Sequence, residues 1–231
     1  LRLLGYHRLV LKRKKTVKLK KGILIVLEGI DGTGKTTQAE LLADALREEA
    51  YTVSRFHEPS QSPWGREIRK KAVSENALTP EEELELFQKD RRDNVKRNIR
   101  PALERREVVV LDRYYFSTIA YQGSKGIDPE RILRANLEFV VLPDLVFILD
   151  LDPKAGLKRT EDRKTRDLLF EREDYLNLVR GLFQRFEGDN IVHLDAGISI
   201  DRIHHQIREK ALGYLKNWVI SGVSIPPSSG P

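Results

Sequence analysis

The 231-residue chain contains no cysteine and no methionine. Without cysteine there can be no disulfide, no thiolate metal site and no thiol nucleophile, so redox chemistry or structural zinc would need other residues, and the sequence offers no such pattern. Long hydrophobic runs are lacking as well. No stretch approaches the roughly 20 uninterrupted apolar residues of a membrane span, and the first residues carry neither the apolar core nor the small-residue cleavage site of a signal peptide. These absences set the expectation of a cytoplasmic protein with no membrane partner.

What is present is charge of both signs, 33% of the residues, with a net charge of +6. Lys12, Arg13, Lys14, Lys15, Lys18, Lys20 and Lys21 supply much of the excess, and the remainder is nearly neutral. Residues 1–21 are therefore expected to form a mobile basic extension. An arm of this kind could contact nucleic acid, but charge runs are more often simply solvated, and nucleic acid is not the expected partner. Residues 22–217 have the size and 40% hydrophobic content of one compact domain. Residues 218–231 end in Ser, Gly and Pro without periodicity and read as a tail.

From Gly22 onward, short β-branched runs alternate with amphipathic stretches, the pattern of a parallel sheet wrapped by helices. Strands are expected at Ile23 to Leu27, Thr52 to Phe56, Val108 to Leu111, Leu145 to Leu149 and Ile191 to Leu194. Helices are expected from Lys35 to Ala50, Pro80 to Arg105, Asp128 to Val140, Arg172 to Glu187 and Ile200 to Leu215. Thr79-Pro80 and Asp128-Pro129 each place a capping side chain before a first-turn proline.

Between the first apolar run and the first helix lies Gly29-Ile30-Asp31-Gly32-Thr33-Gly34-Lys35-Thr36, a G-x-x-x-x-G-K-T phosphate-binding loop followed by Thr37. Its glycines let the backbone curl so that successive N–H groups and the helix N-terminus point at nucleotide phosphates. Lys35 adds a point charge for the β- and γ-phosphates, and Thr36 offers a hydroxyl to magnesium. The loop implies a nucleoside triphosphate but not a reaction. The guanine-reading N-K-x-D of GTPases is absent. After the third apolar run, Asp112-Arg113 lies at a strand end, where open α/β sheets gather ligands. Asp112 can hold a magnesium water and Arg113 can fork across two phosphates.

Leu27 to Gln38, together with Asp112-Arg113-Tyr114 through Ala120-Tyr121-Gln122-Gly123, resembles the paired signatures of the thymidylate kinase family. Glu58-Pro59, Leu86-Phe87 with Asp90-Arg91, and Pro143-Asp144 through Asp150-Leu151-Asp152-Pro153 follow in that family's order. The resemblance implies a three-layer P-loop NTPase α/β fold with a five-stranded parallel sheet and a mobile lid. It implies phosphoryl transfer from ATP to dTMP with Mg2+, and a homodimer. It also implies that Phe87 stacks on thymine, Arg91 donates to a base carbonyl and Pro59 lines the methyl pocket. Ser117 and Gln122 would hydrogen-bond near the base, Tyr121 would press on the sugar, and Asp31 would accept from its 3′-hydroxyl.

One departure is visible. Where the family often has Arg-Glu-Pro-Gly-Gly-Thr, this chain has His57-Glu58-Pro59-Ser60-Gln61-Ser62, leaving Arg66 or Arg69 on the next helix to compensate. Lys158 to Arg166 falls where the family carries its lid, and Arg163 is the first choice for the γ-phosphate, ahead of Arg159 and Arg166. Kinases for other pyrimidine monophosphates, and a nucleic-acid-binding P-loop regulator, are the alternatives.

Overall fold

The computed structural model describes residues 16–72, 78–160 and 169–220. Strands β1 (Ile23–Glu28), β2 (Val53–His57), β3 (Val108–Asp112), β4 (Leu145–Asp150) and β5 (Ile191–Asp195) form one all-parallel sheet in the order β2-β3-β1-β4-β5. Each coincides with an expected apolar run. Central strands β1 and β3 are buried along their whole length, so their sequences are apolar on both faces instead of alternating.

The helices are α1 (Lys35–Glu48), α2 (Pro63–Lys71), α3 (Pro80–Asn94), α4 (Arg100–Glu104), α5 (Tyr115–Gly123), α6 (Pro129–Leu137), α7 (Pro153–Thr160), α8 (Leu169–Phe183) and α9 (Ile200–Lys216). Two cores result from the two-residue period of the strands. Ile23, Ile25, Leu27, Val108 and Val110 face Leu42 and Leu46 of α1 and Ile203 and Ile207 of α9. Leu24, Val26, Val109 and Leu111 face Leu84 of α3, Ile119 of α5, Ile132 of α6 and Val179 of α8. This is the expected three-layer P-loop architecture.

The expected helix from Pro80 to Arg105 is interrupted. Thr79 and Glu82 close a capping box at its start, and the run is α-helical to Asn94. Val95–Ile99 then widens into a π-turn in which Arg100 N–H donates to Val95 O, before α4 resumes. Pro101 accounts for this: it has no N–H to give the preceding turn and its ring crowds that turn's carbonyl, which a wider turn relieves.

Part of the expected basic extension packs onto the body. Val17 and Leu19 are buried in the α1/α9 core, and Val17 N–H donates to Ala50 O at 2.9 Å. Leu19 bridges Val219 in antiparallel fashion, with Lys20 N–H on Trp218 O and Ile220 N–H on Lys18 O. Lys21 pairs with Asp144 and lies over the Trp218 ring. Residues 1–15 and 221–231, the rest of the expected arm and tail, lie outside the described residues. Among the described residues no helix is long and apolar enough to cross a membrane.

Candidate active site

The sheet order places β1 between β3 and β4, so the loop after β1 and the Asp112-Arg113 pair after β3 emerge side by side at the carboxyl edge. Gly34 is the N-cap of α1 with φ 88°, a left-handed conformation that glycine adopts without strain, and it has no side chain to cover the first-turn N–H groups. Those N–H groups open at the mouth of α1 beside the exposed Thr36 and Thr37, an arrangement that suits an anion. Gly32, at φ 81°, is needed for a second reason: a Cβ there would lie 2.3 Å from the Gly156 carbonyl of α7.

Lys35 is buried, its Nζ donating to Ile30 O at 2.6 Å, while Thr33 Oγ donates to the same carbonyl at 2.9 Å. Burial, with the charge of Arg113 adding to it, pushes the Lys35 ammonium down to about 7. Asp31, Asp112 and Glu28 oppose this in part, and a polyphosphate at the loop would add further negative charge and raise it again. Thr36 donates to Asp112 Oδ2 at 2.6 Å. Among the described residues no cluster of three or more His, Cys, Asp or Glu could hold a metal by itself. One hydroxyl beside one carboxylate fits a magnesium ion that takes its other ligands from phosphates and water.

Next to this loop a cavity of about 250 Å³ is lined by Asp31, Pro59, Phe87, Arg91, Arg113, Ser117, Tyr121 and Gln122. These are all eight residues expected on the acceptor side, gathered from the P-loop, the loop after β2, α3, the end of β3 and α5. Phe87 and Arg91 share one face of α3 because they are one turn apart. Arg113, at φ 69°, sits where the two halves meet: its guanidinium pairs with Asp31 and donates to Ser117 Oγ at 3.0 Å. Tyr121 donates to the other Asp31 oxygen at 3.3 Å, and the Arg113 guanidinium lies 5.4 Å from the Tyr121 ring centre.

Residues 27–207 match the description thymidylate kinase. A protein named probable thymidylate kinase from Archaeoglobus fulgidus is 42% identical over 193 residues, 84% of this chain and 96% of its own length. Thymidylate kinases of Akkermansia muciniphila and Brachyspira hyodysenteriae are 44% and 43% identical, spanning 82% and 76% of this chain and 91% and 86% of their own. The chain belongs to the thymidylate kinase family.

Against the pattern of that family, several expected residues take on additional partners. Arg91 is 1% exposed; its Nε donates to Glu58 at 2.7 Å, Nη1 to Asn136 Oδ1 at 2.7 Å and Nη2 to Thr118 Oγ at 2.8 Å. Three of its five N–H groups are thereby committed to protein, one on each nitrogen. Asp31 and Ser117 likewise serve Arg113 before any ligand. Gln122 is buried in the cavity wall with Nε2 on Glu83 at 3.3 Å, while its Oε1 has no partner among the described residues, an acceptor that suits a donor on a ligand.

The departure loop of this family member is built around Asp90. Its carboxylate, 1% exposed, accepts from Ser60 N–H at 2.7 Å, Ser60 Oγ at 2.6 Å and Ser62 Oγ at 2.6 Å. Arg69 donates to Pro59 O and Ser60 O, and Arg66 to Gln61 O. The two arginines expected to compensate for the missing one thus brace the loop's own carbonyls.

At the start of the segment expected to form the lid, Arg159 donates to Gly32 O at 3.3 Å and Ala196 O at 3.0 Å, tying α7 to the P-loop. Arg163 and Arg166 lie outside the described residues. Arg180 of α8 grips Asp150 at the end of β4 through two hydrogen bonds, at 2.6 and 2.9 Å. Sequence reasoning missed Glu83, Thr118, Lys125 and Tyr175, which also line the cavity. Thr118 and Lys125 stand one residue from, or one turn beyond, a motif position and could have been found by helical spacing. Tyr175, whose hydroxyl donates to Tyr121 O at 2.9 Å, comes from α8 and left no local signal.

Proposed function

We propose that the protein transfers the γ-phosphoryl group of ATP to dTMP, giving ADP and dTDP. The observation that carries this reading is the cavity itself: eight acceptor-side residues converge beside a P-loop in a chain of the thymidylate kinase family.

The acceptor is a phosphate monoester with a second pKa of about 6, largely dianionic at neutral pH, so the reaction needs no general base. Catalysis becomes positioning and neutralisation of charge spread over the transferring group. In this reading the P-loop N–H groups and Lys35 hold the donor phosphates. Arg113 spans donor and acceptor from its post between Asp31 and Ser117. Phe87 stacks on the base, and Arg91, in the cavity wall, donates to a carbonyl on it. Pro59 fits the methyl group, Gln122 accepts from the base, Tyr121 bounds the sugar and Asp31 takes the 3′-hydroxyl. Thr36 and Asp112 would hold Mg2+, which supplies Lewis-acid charge at the phosphate oxygens. Arg163 is the lid residue assigned to the γ-phosphate. A homodimer and a cytoplasmic location belong to the same reading, and light scattering tests the first.

Incubation with γ-labelled ATP, Mg2+ and dTMP tests the reaction. Label appearing in dTDP supports it; label released only as inorganic phosphate would replace transfer by hydrolysis.

A further inference from the structure

Glu28 is the last residue of β1, one position before the P-loop, and is completely buried. Its Oε1 accepts from Tyr114 N–H at 2.7 Å and Ser117 N–H at 3.3 Å, and its Oε2 accepts from Ser117 Oγ at 2.6 Å. All three donors belong to the start of α5, 86 to 89 residues away in sequence. The N-cap of that helix is Tyr114, whose hydroxyl is occupied elsewhere, accepting from Val141 N–H at 3.1 Å. Glu28 thus caps α5 from a neighbouring strand, placing negative charge where the helix N-terminus favours it.

The cap has a second consequence, for polarity. A serine hydroxyl has one hydrogen. Ser117 gives that hydrogen to Glu28, so the oxygen it presents to Arg113 is an acceptor, and Arg113 Nη1 donates to it at 3.0 Å. Arg113 is a donor only, so this arrangement requires an acceptor at Glu28 Oε2.

We propose that Glu28 is a positioning residue for phosphoryl transfer: its carboxylate fixes the polarity of the Ser117 hydroxyl, which in turn fixes the Arg113 guanidinium between P-loop and acceptor cavity. The inference rests on the role given to Arg113 above. It separates from simple helix capping through Glu28→Gln. The introduced amide oxygen can still accept from the Tyr114 and Ser117 N–H groups, so the cap survives. Its NH2 then faces Ser117 Oγ, which must accept from it, so the hydroxyl hydrogen loses the carboxylate that holds it away from Arg113.

The test is steady-state kinetics with ATP and dTMP at about pH 8.5, where Glu28 is ionised, for Glu28→Gln, Ser117→Ala and the double variant, with thermal unfolding of each. The expected result is a kcat lower by about tenfold to a hundredfold in Glu28→Gln, the scale of a misplaced catalytic group. The KM for ATP stays within about twofold. Removing the serine abolishes the polarity conflict, so the double variant is no slower than Ser117→Ala alone. A Glu28→Gln enzyme with kcat within about twofold of the unsubstituted protein, or single effects that simply multiply, overturns the proposal. Should Glu28→Gln fail to fold, Ser117→Ala decides: a lowered kcat that Ser117→Thr restores supports it, and an unchanged kcat overturns it. An unsubstituted protein with no dTMP-dependent ADP release defeats the kinase reading and this inference together, whereas an active one with Glu28→Gln unaffected defeats the inference alone.

Discussion

Arg91 Nε lies 2.7 Å from the Glu58 carboxylate, and the two side chains are 1% and 3% exposed. Burial pushes the Glu58 carboxyl up, and the Arg91 charge opposes that push, so each group justifies the other's presence in the interior. Asn94 adds a donor to the second Glu58 oxygen at 3.2 Å, and Asn136 and Thr118 each accept from one terminal nitrogen of the guanidinium. The head of Arg91 is therefore held rigidly before any base arrives.

Removing one partner of such a pair leaves an uncompensated buried charge. Arg91→Leu is expected to cost about 3–5 kcal/mol in urea unfolding, and more than Glu58→Gln, which keeps an acceptor for Nε. Asn136→Leu is expected to cost about 1–3 kcal/mol, the price of an orphaned donor on a charged group. It should also raise the dTMP KM while sparing that for ATP. Equal KM values for dTMP in Asn136→Leu and the unsubstituted protein would mean that the hydrogen bond serves stability only.

Gly32 is a steric as well as a conformational requirement. Gly32→Ala places a Cβ against the Gly156 carbonyl at a residue whose φ is 81°, so α7 must move away from the P-loop. Loss of ATP-dependent turnover by at least about a hundredfold is expected, the consequence of roughly an ångström's displacement in a site of this kind. Intact dTMP binding, seen by calorimetry, would confirm that the damage is confined to the donor side.

Lys35→Ala and Arg113→Ala are expected to lower kcat by about a hundredfold to a thousandfold each with the fold retained, since each removes charge aimed at the transferring group. Far-ultraviolet circular dichroism and kinetics on the same samples check both halves. Near-normal turnover in either variant would remove that residue from the mechanism.

Glu28 gives the stability a pH dependence of definite sign. Burial lifts its carboxyl from the ordinary 4.5 to about 7, against the opposing hydrogen bond from Ser117 and the charge of Arg113. Between those values the folded protein keeps a proton that the unfolded chain has released, so this contribution is complete below pH 4.5 and is lost as pH rises through about 7. Urea midpoints of the nucleotide-free protein from pH 5 to 8 should fall more steeply than those of Glu28→Gln. Parallel profiles would contradict the assignment.

How much could be read from sequence depended on whether a feature was local. Buried parallel strands announce themselves as β-branched runs, so all five were legible, and the P-loop and Asp112-Arg113 motifs lie at strand ends, where their context could be checked. Helix α5 was not legible, because Tyr115 to Gly123 is buried on several sides and lacks a polar face. Nor was the π-turn, although Pro101 was its visible cause. The cavity-lining residues were recovered through the family resemblance. Their partners were not: Asn136 meets Arg91 across 45 residues and Glu28 meets Ser117 across 89, contacts that no local pattern records. Arg66 and Arg69 show the converse, since charge and proximity in sequence suggested an acceptor role where the fold uses both to brace a loop.

The choice of acceptor is decided by coupled ADP release with ATP and Mg2+ against dTMP, dUMP, UMP, CMP, dCMP, GMP and thymidine, beside a control without acceptor. The highest kcat/KM is expected for dTMP, with little release in the control. A preference for another monophosphate, or release independent of acceptor, would leave the P-loop its nucleotide and contradict the account of the cavity.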